Sequence, residues 1–356
     1  MGPPVERVFA ERPGREFWRA GSPVHDAQNG NVMRDGVDTG AVDVDFGHAL
    51  ATCLDQVGPG RVATCGAIAR ALGDVRAARA VATWLVDHPA LPGAHRVVRA
   101  DGRPVLHGAT QLLERESTHA VHGRVPTERI VGALRPTKFL AALRDDQNHL
   151  SAQVTERDSL GDINRIGGVD AAYDGDSMYV AAVCLDADDL TPVEIVTVRY
   201  ETTFPYIPTY LAYRESPGIE TTVHRLTHQP DVLLVDGHGR LHPALFGVAC
   251  YVGVRLSLPT IGVAKHPLVG RVQTKRRGSE PALPIEFRGR VQGYAWIPPG
   301  RARPIFVSVG NRISLNRSLE IVRSSTRHGY PEALQLADRV CREMKRNEKR
   351  EKGAAR

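Results

Sequence analysis

Long apolar runs are missing from this chain. Nowhere do apolar residues continue for the roughly 18 positions that a bilayer-spanning helix needs, and the Gly-, Pro-, Arg- and Asp-containing amino terminus lacks the apolar core of a signal peptide. Neither a membrane partner nor secretion is therefore expected, and the expectation is a cytoplasmic protein. Cysteine is scarce too. Cys53, Cys65, Cys184, Cys250 and Cys341 are odd in number, widely spaced and form no Cys-x-x-Cys pair. That pattern indicates neither a disulfide framework nor a zinc site.

What is present is ordinary for a globular chain, with 42% hydrophobic and 24% charged residues, so wholesale disorder is not expected. A length of 356 residues points to two domains, each able to bury a core. The formal charge is +6, and residues 339–356 carry eight Arg or Lys against three Glu. A basic balance favours a polyanionic partner such as nucleic acid.

The chain is organised around residues 231–270. The apolar run 232–235 reads as a strand buried on both faces, with Asp236 at its carboxyl end. Gly237 and Gly239 leave Asp236 unshielded, and His238 and His242 follow at once. A helix over 243–256 and a second strand over 260–264 bring Lys265 to the same sheet edge by the logic of a βαβ unit. A cation beside carboxylates points to phosphate chemistry. Upstream, strand-like runs at 168–172, 178–185 and 193–200 predict a mixed sheet in an α/β unit, with Asp170 on a strand next to that of Asp236. Apolar residues at helical spacing predict an amphipathic helix over 138–156 that covers this sheet. Hydrolysis of a phosphodiester by carboxylates calls for hard cations such as Mg²⁺ or Mn²⁺, two of them about 4 Å apart serving the attacking and leaving oxygens. Taken singly, each acid has a plainer reading: Asp170 or Asp236 as a turn cap, Glu215 paired with Arg214, Asp338 paired with Arg342. His242 is either a phosphate or water contact or a structural histidine.

Ahead of the sheet, residues 1–43 lack periodicity and read as a flexible leader. Helices are predicted over 48–57, 65–72 and 75–86, in a small unit spanning 44–115 of helix-turn-helix character. A connector follows at 116–137, the main domain over 138–345, and a basic tail at 346–356.

Several separated segments carry a resemblance. VDGHGRLHP (235–243) and LPTIGVAKHPL (258–268), with GGVDAAYD (167–174), FPYIPTYLAYRESP (204–217) and PEALQLAD (331–338), resemble the endonuclease V family over about 170 residues. That family has an RNase H-like fold and cleaves DNA on the 3′ side of deoxyinosine. The resemblance implies metal ligation by Asp170, Glu215, Asp236 and Asp338 with Mg²⁺ (Mn²⁺ as substitute), catalysis by Asp170, Glu215, Asp236, Lys265 and His242, and a strand-separating wedge of Pro205, Tyr206 and Ile207. Backbone groups of Gly237, His238 and Gly239 are then expected to read the extruded base, whose weak pairing lowers the cost of extrusion. It also implies cleavage at the second phosphodiester 3′ to the lesion, leaving 3′-hydroxyl and 5′-phosphate ends. A departure stands at Asn311, where the family commonly has histidine.

The run GPGRVATCGAIARALGDVRAARAVATWLVDHP with AHRVVRADGRP (58–104) resembles the winged helix-turn-helix-like DNA-binding domain of the O6-alkylguanine-DNA alkyltransferases. The acceptor cysteine of that family is Ala94 here, which excludes covalent transfer at that position, as in the alkyltransferase-like proteins. The resemblance places Arg79 as the residue that fills the stack after base extrusion, and His95 and Arg96 in the active-site motif, while Cys65 replaces a tyrosine. The expected protein is a monomer acting on damaged DNA, with deoxyinosine and O6-alkylguanine as lesions. Alternatives are a non-cleaving sensor of O6-alkylguanine and an endonuclease for inosine-containing RNA.

Overall fold

A computed structural model describes residues 44–273 and 282–354; the leader expected at 1–43 lies outside the described residues. Asp45 opens α1 (Phe46–Leu54) by accepting from the His48 amide. Thr64 likewise caps α2 (Cys65–Leu72) through Ala67, each side chain satisfying an amide that the first turn leaves free. A short parallel pair, β1 (Ala63–Thr64) with β2 (Val97–Val98), flanks α2, the single-turn helix Val75–Ala77 and α3 (Ala78–Asp87), and α4 (Ala109–Arg115) closes this unit. The three helices expected here form close to their expected limits. The connector at 116–137 packs onto the unit, where Val125 and Ile130 join Val62, Val98 and Leu113 in a small apolar cluster.

The second unit begins with α5 (Phe139–Ser151) and is built on one nine-stranded sheet. Its strands, in chain order, are β3 (Arg165–Asp174), β4 (Ser177–Asp186), β5 (Pro192–Glu201), β6 (Val232–Asp236), β7 (Thr260–Ala264), β8 (Arg271–Val272), β9 (Ala282–Phe287), β10 (Arg290–Trp296) and β11 (Ile305–Asn311). Spatially they run β5-β4-β3-β6-β7-β11-β10-β9-β8, with β3, β6 and β7 parallel and the rest antiparallel to their neighbours. The helices are α6 (Leu211–Val223), α7 (Val248–Leu256), α8 (Leu315–Ser324) and α9 (Glu332–Ala354).

The apolar run of β6 is explained by helices on both faces. Leu233 and Val235 pack with Ile219, Val223, Val248 and Val252 of α6 and α7. Val232 and Leu234 pack with Leu319 and Val322 of α8 and Leu334 of α9. A Cβ at Gly168 would stand 2.6 Å from the Ala333 backbone, so the missing side chain lets α9 lie directly on β3, and this carries Asp338 toward Asp170.

The helix expected over 243–256 starts only at Val248. Leu245 is left-handed at φ 52, and Gly247 is extended with a Cβ position 2.1 Å from the His238 oxygen, so residues 243–247 fold as a turn against the preceding loop. A single apolar cluster joins the two units: Phe46, Leu50, Leu72, Val81 and Trp84 from the first, and Leu140, Leu143, Phe204, Ile207, Tyr210 and Tyr213 from the second. Among the described residues no helix is long and apolar enough to cross a membrane.

Candidate active site

The register of β3 on β6 sets Val169 opposite Val235, so the next residues, Asp170 and Asp236, stand side by side, Asp236 at the carboxyl end of β6 and Asp170 within β3, which runs on beside β4 to Asp174. Asp170 accepts from the Ala171 amide at 2.8 Å. Its carboxyl is held well above the ordinary range, first by burial and then by the charge of Asp236. Lys265, at the end of β7, places Nζ 2.5 Å from Asp236 Oδ2. Burial works against its charge, but the combined pull of Asp236, Asp170 and Asp338 more than offsets this and raises its pKa. Asp338 adds to the field at Asp170 and pairs with Arg342 at 2.9 Å, so the plainer reading of that residue holds alongside the acidic one. Glu215 is buried on α6. Burial pushes its carboxyl up to about 7 despite a 2.7 Å hydrogen bond donated by the Tyr173 hydroxyl, and Asp236 adds to the rise.

The four expected acids thus share one field without forming a closed cage: among the described residues no three acidic, histidine or cysteine side chains stand at metal-holding spacing. The donor chemistry fits a hard divalent cation. Carboxylate oxygens predominate, and burial, with the charge of Asp236 adding to it, raises Asp170 and Glu215. Two tyrosines complete the centre that the sequence reading overlooked. Tyr330 Oη lies 2.8 Å from the Val263 oxygen and 3.2 Å from Asp236 Oδ1, with Lys265 Nζ 4.8 Å from its ring centroid. Tyr173 donates to Glu215 while Arg214 lies 4.6 Å over its ring. The signal for Tyr173 was its place inside the GGVDAAYD segment; Tyr330 immediately precedes PEALQLAD.

Other expected residues are placed differently. His242 is buried, accepts from the Ala244 amide on Nδ1 and donates from Nε2 to the Thr209 oxygen. With both ring nitrogens committed, and burial pushing it down to about 3, it takes the structural reading and not the phosphate contact. The Gly237 amide donates to the Val263 oxygen and the Gly239 amide to Ser308 Oγ, so these two donors are spent inside the fold. A Cβ on Gly239 would stand 1.9 Å from the Val309 oxygen; the glycine serves packing against β11. His238 differs, since its buried Nδ1 has no partner, and burial depresses it to about 4. In the expected wedge Tyr206 is 64% exposed, but Ile207 is fully buried and Pro205 is buried too. Apolar side chains from the helical unit cover Ile207, which leaves Tyr206 as the free tip. Thr209, left-handed at φ 73, is held there by Arg144 at 2.5 Å and Gln147 at 2.9 Å as well as by His242. Asn311 is buried and bridges the Thr155 amide to the Gly253 oxygen.

In the helical unit Ala94 is 1% exposed. Cys65, the thiol nearest in the motif, is pushed up to about 11 by burial, so neither position supplies a nucleophile. His95 and Arg96, expected in the active-site motif, both converge on Glu116. His95 Nε2 meets Glu116 Oε1 at 3.0 Å; Arg96 grips both Glu116 oxygens and gives Nη1 to the Val57 oxygen. Arg79 is exposed.

Carboxylates and a lysine converging on an RNase H-like mixed sheet, preceded by a separate small helical unit, give the arrangement of an endonuclease joined to a second domain. The model for endonuclease V matches residues 148–339, and the model for the DNA-binding domain of 6-O-methylguanine DNA methyltransferase matches residues 45–119. The chain belongs to the endonuclease V family. It is 45% identical over 206 residues to endonuclease V of Thermofilum pendens, covering 57% of this chain and 88% of that protein. The crystal structure of the catalytic domain of human endonuclease V is similar at a TM-score of 0.56 and 32% identity, covering 60% of this chain and 98% of that one. Endonuclease V of Ciona intestinalis, crystallised with a 24-mer DNA containing an inosine followed by a ribo-adenosine, is similar at a TM-score of 0.54 and 26% identity, covering 58% and 98% respectively.

Proposed function

We propose that this chain is a DNA repair endonuclease that nicks duplex DNA at deoxyinosine, on the 3′ side of the lesion, leaving 3′-hydroxyl and 5′-phosphate ends. The observation that carries this reading is the side-by-side placement of Asp170 within β3 and Asp236 at the end of β6, with Lys265 on Asp236, in a chain similar to an endonuclease V bound to inosine-containing DNA. Asp170, Asp236 and Glu215, with Asp338 at the rim, are the residues that would hold Mg²⁺, with Mn²⁺ as substitute. When bound, such an ion supplies charge neutralisation and an activated water.

The chain's own groups supply the rest. Lys265 stands where it can leave Asp236 for a phosphate oxygen and offset charge developing on the leaving group. Tyr330 keeps Asp236 oriented, and Tyr173 keeps Glu215 oriented. Tyr206 fills the stack vacated by the extruded base, a stiff proline-flanked tip being ordered before it inserts. The helical unit grips DNA without alkyl transfer. The test is strand cleavage of a duplex containing a single deoxyinosine, with and without Mg²⁺, by the intact chain and by Asp236→Asn. Nicking that needs the cation and falls at least about 10³-fold in the variant supports the reading; undiminished nicking by the variant removes it.

A further inference from the structure

Both ends of the segment that carries Tyr206 are tied to the helical unit. Residues 202–210 join β5 to α6, and along them Phe204, Ile207 and Tyr210 are buried while Tyr206 stands 64% exposed. At the far end the Tyr210 hydroxyl donates to Asp74 Oδ2 at 3.1 Å. At the near end the Thr202 amide donates to the Asp176 oxygen at 2.9 Å, and Asp176 Oδ2 in turn lies 3.3 Å from His88 Nε2. Asp74 and His88 bracket the single-turn helix and α3, so one helical stretch spans the two feet of the loop. Between these anchors Val81, Trp84 and Leu85 join the apolar cluster that encloses Phe204 and Ile207.

Each anchor is itself held. Gly73 ends α2 at φ 107, and a Cβ there would stand 2.9 Å from the Ala141 nitrogen. The missing side chain lets α2 end directly against α5, which brings the next residue, Asp74, to Tyr210. Arg76 grips Asp74 through Nε and Nη2. Burial works against the Asp74 charge, but the hydrogen bonds from Arg76 and Tyr210 help to offset this and its pKa is lowered. His88 is stacked on Trp84 at 4.1 Å, with Nδ1 3.0 Å from the Trp84 oxygen. On the other side the loop is tied to the catalytic acids. Arg214 donates from Nη1 to the Phe204 oxygen at 2.5 Å and lies over the ring of Tyr173, whose hydroxyl holds Glu215.

We propose that the helical unit braces the strand-opening tip of the nuclease: Asp74, through Tyr210, and His88, through Asp176, are positioning residues that hold Tyr206 in a fixed place relative to Glu215. This deepens the reading given above and rests on it. A loop tip that enters a base stack gives up conformational freedom on insertion, and a tip ordered beforehand gives up less. The prolines at 205 and 208 fix only their own φ angles; the seam holds the rest of the loop. The brace therefore acts on the opening of the duplex and not on hydrolysis, and it is without effect where the lesion is already unpaired.

The test uses the full chain carrying Tyr210→Phe and His88→Ala together, and two substrates: deoxyinosine in a fully paired duplex, and the same strand with the lesion in an unpaired bubble. Nicking is followed by single-turnover kinetics in Mg²⁺ at saturating protein. Opening of the stack is followed in metal-free buffer by 2-aminopurine beside the lesion, which brightens when it is unstacked. The paired substitutions are expected to slow nicking of the paired duplex about tenfold and to dim the probe, with the rate on the bubble unchanged. In a Tyr206→Ala background they should change nothing further, because the tip they position is gone. The control is Glu116→Gln, which weakens the helical unit at Arg96, away from the seam, and should alter neither rate. A paired-duplex rate equal to wild type overturns the proposal. So does equal slowing on both substrates, which would mean a general loss of fold, an additive loss with Tyr206→Ala, or the same selective slowing in Glu116→Gln. Failure of the nuclease reading appears separately, as wild-type protein that brightens the probe yet nicks neither substrate, and the probe comparison then decides the brace.

Discussion

At the residue scale the decisive question for each polar side chain is which of its atoms remain uncommitted. His242 and His238 stand four positions apart in one loop and both are depressed by burial, yet only His238 keeps a ring nitrogen free. His242→Ala deletes the partner of the buried Ala244 amide and one of the two donors to the oxygen of Thr209, itself strained at φ 73 and left with Gln147 alone. A loss of about 2 to 4 kcal/mol is expected from thermal or urea melts. The pH dependence follows from the depressed pKa. The unfolded histidine takes up a proton near 6.5 and the folded one only near about 3, so this contribution is full above 6.5 and is lost as pH falls between those values. His242→Ala should therefore flatten the stability profile across that window. It should also leave no histidine inflection missing from the nicking profile, because His242 is neutral throughout the neutral range.

At the scale of elements, the loop at 237–239 and the turn around Glu116 test the same idea in opposite ways. Gly239→Ala drives a methyl group into the Val309 carbonyl, where only backbone can yield, and a cost of about 3 kcal/mol or more is expected. Glu116 receives Arg96, then His95 and the Gly60 amide, and these pull its carboxyl down from 4.5 to about 2. A depressed carboxylate stabilises above its unfolded pKa, so this contribution is present above about pH 4.5 and disappears as pH falls toward 2. In melts, Glu116→Gln should lower stability by about 2 kcal/mol at neutral pH and remove that acid limb.

These elements also show how much was legible in the sequence. The strands carrying Asp170 and Asp236, the helices from 65 to 86 and the approach of Lys265 to Asp236 follow from apolar runs and βαβ connection, which are local signals. What was not legible depends on distant partners. Ile207 reads as an exposed tip until Phe46 and Leu72, more than a hundred residues earlier, are folded over its loop. The glycines at 237 and 239 read as openings for a ligand, because nothing local reveals that β7 and β11 press against them. Similarly, His95 and Arg96 form a motif by sequence, but Glu116, 20 residues on, decides what they touch.

At the scale of the whole molecule, the fusion is physical as well as covalent. The Phe204 ring is 1% exposed and meets Phe46 of the helical unit at 6.1 Å, with Phe139 at 6.3 Å and Tyr213 at 6.1 Å from its own. Trp84 extends the chain of rings, edge-on to Phe46 at 5.4 Å and stacked on His88 at 4.1 Å. Two cores that share these rings cannot melt independently without exposing them, so calorimetry of the intact chain should give one cooperative transition. Phe204→Ala removes a ring from the shared seam, at an expected cost of about 3 to 5 kcal/mol. Because the seam belongs to both units, that loss should lower the entire transition and keep it single. Two resolved transitions, with only one displaced by the substitution, would show that the units fold separately. In that case the placement of α3 beside Tyr206 would depend on the connector alone and could not be held fixed against the catalytic edge.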